Sequence, residues 1–148
     1  MSANVYDVPV NTYDYDYIRS AVDGHELVKF PVKLKASSTY EKGMILAESN
    51  ATPGLFAEQG TASHSIAKAI LPIACTTDSN GLITRGSQPA NRAVPTLSIE
   101  AIFGGYVKCE DVVDLDATLA TELGKLVRGT VTNGILHVGD GAAVYVAP

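Results

Sequence analysis

Apolar residues in this chain recur mainly at every second position and in short runs, the pattern of half-buried strands rather than long helices. Leu27 to Leu34, LVKFPVKL, alternates apolar and basic residues around Pro31. Proline cannot donate to a ladder, so this stretch predicts an edge strand or a bulge. GMILAES, Gly43 to Ser49, predicts a short buried strand, and Pro53-Gly54 predicts a turn before a return strand at Leu55-Phe56-Ala57. AKAILPIACTT predicts a further apolar strand, interrupted by Pro72 and closed by a turn at Asp78 to Gly81. LITRGSQPANRAV is expected to be mostly loop.

The segment PTLSIEAIFGGYVKCEDVVDL, Pro95 to Leu115, carries the clearest alternation. Leu97, Ile99, Ala101 and Phe103 fall on one face, with Thr96, Ser98 and Glu100 opposite. Gly104-Gly105 reads as a tight hairpin turn, since glycine supplies positive φ angles without steric cost, and Tyr106 to Cys109 as the returning strand. The period then changes. Leu119, Leu123 and Leu126 stand at helical spacing, with Asp116 placed as the cap and Gly129 beyond the end. Asn133-Gly134 and Gly139-Asp140-Gly141 predict two last turns between short closing strands. Many short strands with one helix imply a mostly β or α+β fold.

The leading residues differ in kind. MSANVYDVPVNTYDYDYIRS holds Tyr6, Tyr13, Tyr15 and Tyr17, four of the seven tyrosines in the chain. Over Met1 to Glu26 five acids stand against Arg19 alone, a charge of −4 out of −5 for all 148 residues. YDYDY would place aromatic and acidic side chains on opposite faces of an extended strand. Ordering this stretch costs on the order of 1–2 kcal/mol per residue, and it has few aliphatic groups to offset that. It must dock either on the rest of the fold or on a partner. The expected organisation is an extended N-terminal arm at 1–26 and a β-rich domain at 27–148.

Hydrophobic residues reach 46% while charged residues are 18%, below the roughly 25% usual for soluble domains. Some apolar surface is therefore expected to be covered by other subunits. With only 11 Lys and Arg the chain lacks a basic stripe for phosphates, so nucleic acid is a poor partner. No apolar run approaches the length of about 18 residues that spans a bilayer, and the start has no signal-like core, so no membrane partner is expected. Synthesis in the cytoplasm follows as an expectation. Cys75 and Cys109 sit in apolar segments and are expected to be buried and reduced rather than disulfide-linked.

Catalytic and metal-binding patterns are sparse. His25, His64 and His137 form no i, i+4 pair, so neither a metal nor another cofactor is expected. His64 lies between Ser63 and Ser65, but neighbours on an extended chain point to opposite faces, which predicts a solvated loop histidine rather than a catalytic base. Glu110, Asp111, Asp114 and Asp116 lack the order of a calcium loop and read as a helix entry. Neither RGSQPAN nor GDGA matches a phosphate-binding loop, and the sequon Asn50-Ala51-Thr52 has meaning only on export. A small trimeric hydrolase of nucleotide-pool type would need shared glycine and aspartate motifs that are not found here. The chain is not expected to be an enzyme.

The order KGMILAE, TPGLFAEQGTASHSIAKAILPIA, VPTLSIEAIFGGYVKCEDVV, helix and short closing strand resembles the head decoration proteins of bacteriophage lambda and its relatives. The resemblance runs from about Gly43 to Val138 and is best from Thr96 to Val112. The chain departs from that pattern in the extra glycine at Gly104-Gly105, the longer TTDSNGLITRGSQPANRAV and the tail after Gly134. The resemblance implies a homotrimer on the outer surface of the virion capsid. It would sit at three-fold and quasi-three-fold sites of an expanded head and cement it against packaged DNA. Its arm would add strands to the major capsid protein through Val5, Tyr6, Val8, Val10, Tyr13, Tyr15 and Tyr17. The alternative class is a tail or baseplate binding module whose loops NATPGLFAEQG and RGSQPANRA carry contacts to a host surface ligand.

Overall fold

The structure is a computed structural model that describes residues 17–86 and 95–139. The fold is mostly β: β1 (Val28–Leu34), β2 (Thr39–Tyr40), β3 (Ile45–Glu48), β4 (Leu55–Glu58), β5 (Ala67–Ile70), β6 (Cys75–Thr77), β7 (Ile83–Arg85), β8 (Ile99–Lys108), α1 (Ala117–Leu123), β9 (Gly124–Arg128) and β10 (Ile135–Val138). One sheet runs β1-β4-β3-β5-β8-β10-β9, and an added β1–β8 pairing closes its first five strands into a small barrel. A second sheet, β2-β6-β7, stands apart.

Closure alters the expectation for β1. The strand pairs with β8 over Val28 to Val32 and in parallel with β4 only at Lys33 and Leu34, so it is a closing strand rather than a sheet edge. Pro31 itself pairs in regular register with Glu100, and the one register shift falls earlier, between Val28 and Lys29.

Two cores share the barrel wall. Val32, Leu34, Leu46, Phe56, Ala101 and Phe103 belong to one, where Phe56 and Phe103 meet edge to face at 5.8 Å. Ile45, Ala67, Ile70, Ile102, Val107, Leu123 and Leu136 belong to the other, under the helix and the β8-β10-β9 sheet. Alternate residues of β3, β5 and β8 thus enter different cores. Both faces of these strands are apolar, which is why Ile102 is buried opposite Ala101 and Phe103. Leu97, expected beside them, precedes the strand and is 69% exposed.

The double glycine is not a turn. β8 runs unbroken through Gly104 and Gly105, and at that point its partner changes: β1 pairs up to Gly104 and β10 from Gly105 onward. Gly105 stands at φ +101, and Leu27 passes so close that a Cβ on Gly105 would sit 3.0 Å from the Leu27 Cα. Glycine serves close backbone approach here rather than chain reversal.

The helix begins as expected and ends early. The Asp116 carboxylate accepts from the Leu119 N–H at 2.8 Å, but α1 stops at Leu123 and Leu126 lies in β9. At Gly124 any Cβ would collide with the His137 carbonyl, so this position admits the close β9–β10 pairing. The leucine spacing spans two elements by coincidence. The hairpin predicted by Asn133-Gly134 joins β9 to β10. AKAILPIACTT divides into β5 and β6 in different sheets, and part of LITRGSQPANRAV forms β7, paired with β6 around Asp78.

Candidate assembly face

Residues 17–27 form no strand, yet they lie on the body. Ile18 is 3% exposed within the second core, its N–H donates to the Pro72 carbonyl at 2.9 Å, and the Ala21 N–H donates to the Tyr106 carbonyl at 2.9 Å. Residues 17–26, expected from the sequence to belong to the arm, thus lie against the body. Tyr17 is 37% exposed, and the Arg19 guanidinium lies 4.5 Å from its ring centroid, a cation–π contact. Of the seven predicted arm residues, Val5, Tyr6, Val8, Val10, Tyr13 and Tyr15 lie outside the described residues. Tyr17 stands at the surface.

An open groove of about 1280 Å³ runs between this segment and the sheet, from Tyr17 past His25 to Tyr106 and His137. Its floor is aromatic. Tyr106 and His137 stack with centroids 4.5 Å apart and His25 meets Tyr106 edge-on at 5.5 Å. Cross-strand register sets the surroundings. Directly paired residues share a face, so Tyr106, His137 and Lys125 form one row across the outer face, and Lys108, Ile135 and Arg128 form the next. Val127 is the extra residue where the β9–β10 register shifts, and it is 47% exposed. A protein of net charge −5 thus carries three cations and an aromatic stack on one sheet face, with Asp23 and Glu26 near its margin. Sequence reasoning missed this grouping, although the alternations Tyr106/Lys108 and Ile135/His137 carry its signal.

His64 departs from the expectation of a solvated residue. It is only 7% exposed, its Nδ1 lies 3.2 Å from the Ser63 Oγ, and its buried Nε2 has no hydrogen-bond partner among the described residues. The extended-chain argument fails because residues 61–64 make a tight turn in which the His64 N–H donates to the Thr61 carbonyl. Among the described residues no group bonds Nε2, so none there orients the ring as the third member of a Ser–His pair would require.

Both cysteines are free and buried, as expected. Burial pushes the Cys75 thiol up to about 11 against a partial lowering by Arg85, and burial also raises Cys109. Such thiols are poor nucleophiles. Among the described residues no group of three or more His, Cys, Asp or Glu could hold a metal ion. No helix there is long and apolar enough to cross a membrane. The β3–β4 loop of NATPGLFAEQG is internally braced, with the Glu48 carboxylate accepting from the Gly54 N–H at 2.7 Å. Most of RGSQPANRA lies outside the described residues. No protein-family model matches the chain, and no curated protein or solved structure matches it.

Proposed function

We propose that this chain is a non-enzymatic decoration protein of a phage capsid. It binds as a homotrimer at three-fold and quasi-three-fold sites of the expanded head, with residues 1–16 adding strands to the major capsid protein. The observation that carries the reading is the root of that segment: a strand-period run of tyrosine and aspartate leads into Tyr17 at the surface and Ile18 in the core. A tether used for cementing needs a strand-forming end and a fixed end. Tyrosine suits the first, with large contact area at low entropic cost. Three weak arm contacts of a few kcal/mol each become tight together, because the second and third form at high effective concentration.

The test is cosedimentation of the full chain, and of a chain lacking residues 1–16, with expanded and unexpanded heads. The full chain is expected to bind expanded heads alone, and the shortened chain to stay folded and lose most binding. Undiminished binding by the shortened chain would refute the arm's role. Capture of a host-surface glycan without binding to heads would favour the tail-module alternative.

A further inference from the structure

The two margins of the β8-β10-β9 sheet differ in a way that matters for assembly. At the β8 margin the Ala21 N–H already bonds the Tyr106 carbonyl, and the chain comes in from residue 16. At the other margin β9 pairs with β10 alone among the described residues, leaving its outer edge open. Lys125 and Arg128 are exposed there on the outer face, with exposed Val127 between them and half-buried Leu126 facing the core. An open edge with this decoration is a template for one more strand.

Residues 1–16 match it in charge and period. They carry Asp7, Asp14 and Asp16 and no Lys or Arg, a side-chain charge of −3. In a strand added to β9, alternation would set Asp14 and Asp16 beside Lys125 and Arg128 on the outer face. It would turn Tyr13 and Tyr15 to the inner side, near Leu126. The other nearby segment, 140–148, has a single acid, Asp140, and lacks this alternation.

From these observations we infer that residues 1–16 of one copy add to the outer edge of β9 in a second copy. The donor leaves from one margin of the sheet and the acceptor edge is the opposite margin, so the contact is head-to-tail. Contacts of that type close into a ring when the rotation allows. For its own β9 the same segment would have to cross three strands, about four strand spacings or roughly 19 Å, over the outer face before pairing could begin. The neighbour's edge imposes no such crossing. The exchange concerns the protein off the shell and stands apart from the capsid reading: it would shelter a strand-forming segment until a stronger edge competes for it.

Hydrogen exchange of the full-length protein over a concentration series, with no heads present, tests the inference. At high concentration the amides of residues 2–16 and of β9 are expected to exchange at least about tenfold more slowly, and to lose that protection on dilution. The double variant Lys125→Glu/Arg128→Glu alters only exposed side chains. It is expected to keep body protection and to release residues 2–16 at every concentration. As a second measurement, a chain with Thr12→Cys mixed with a chain with Val127→Cys, which leaves every charged residue in place, should form a disulfide between copies when oxidised glutathione is added as the oxidant, the native thiols being buried. Protection that does not change on dilution, protection confined to 140–148, no difference in the charge variant, or no cross-link would each overturn it.

Discussion

Gly104 and Gly105 are neighbours in one strand, and the fold gives them unequal demands. At Gly105 an added Cβ would meet the Leu27 Cα at 3.0 Å, the Glu26 carbonyl oxygen at 3.1 Å and the Leu27 Cδ2 at 3.1 Å. Two of these three atoms are backbone, so side-chain rotation cannot relieve the contact. The residue also sits at φ +101, where an L side chain costs roughly 1–2 kcal/mol by itself. Displacing residues 26 and 27 adds about 1–2 kcal/mol more, within the usual range for overpacking. Gly105→Ala is therefore expected to cost about 2–4 kcal/mol, or roughly 6–15 °C in Tm for a chain of this size.

Gly104→Ala meets the Cβ and Cγ2 of Val28 closely, at 3.1 and 3.3 Å, and the Val138 carbonyl oxygen at an ordinary 3.8 Å, and Val28 is 48% exposed and able to move outward. It should cost less than about 1.5 kcal/mol. Paired urea and thermal unfolding of the two variants reads the difference. Hydrogen exchange at residues 18–27 should quicken in Gly105→Ala and not in Gly104→Ala. If the two variants were equally stable, or Gly104→Ala were the worse, Leu27 would not press on β8 at Gly105 as described.

Three further outcomes follow from buried groups. Replacing His64 by Leu removes the unpartnered Nε2 together with a bond to an exposed serine, so stability should stay level or rise by up to about 1 kcal/mol; a loss above roughly 2 kcal/mol in urea unfolding would mean that Nε2 has a partner. Cys75 ionises near 9.0 when unfolded and near 11 when folded, so this residue's contribution to stability is intact below pH 9 and declines as the pH rises toward 11, a trend that Cys109 and Tyr40 reinforce because burial raises both. Alkylation at pH 8 should accordingly be negligible in the native protein and rapid in urea. Ile18→Ala should lower unfolding free energy by about 2–4 kcal/mol and loosen residues 17–27, read by hydrogen exchange; no change would place the start of the body after this residue.

How much of this the chain's pattern disclosed depended on whether the cause was local. The Asp116 cap, the Asn133-Gly134 hairpin and the buried cysteines each rest on a few adjacent residues, and each was legible. The path of β8 was not. Glycine permits both a turn and a close approach, and only the passage of Leu27 over Gly105, some eighty positions away in sequence, selects between them. Leu126 misled for a similar reason, because helical and strand spacing agree over so short a run and the choice is made by the close contact of Gly124 with β10. The aromatic and basic rows on the outer face depend on the register of three strands, which no single segment encodes.

The root of the leading segment sets a mechanical limit on anything that segment grips. Freeing residues 17–21 would expose Ile18, at about 2–3 kcal/mol, and break the bonds to the Pro72 and Tyr106 carbonyls, at about 1 kcal/mol each. That total, roughly 4–5 kcal/mol, is comparable with or larger than one arm contact of a few kcal/mol. Under load a single arm would thus let go at its far end before its root tore from the barrel, and could bind again while its sister arms held. A root on a loose loop would peel first and let the body drift from its site. If the chain grips a shell as the proposed trimer, the position of Ile18 in the second core, and not the length of the segment ahead of it, is what would let three weak contacts act as one strong one.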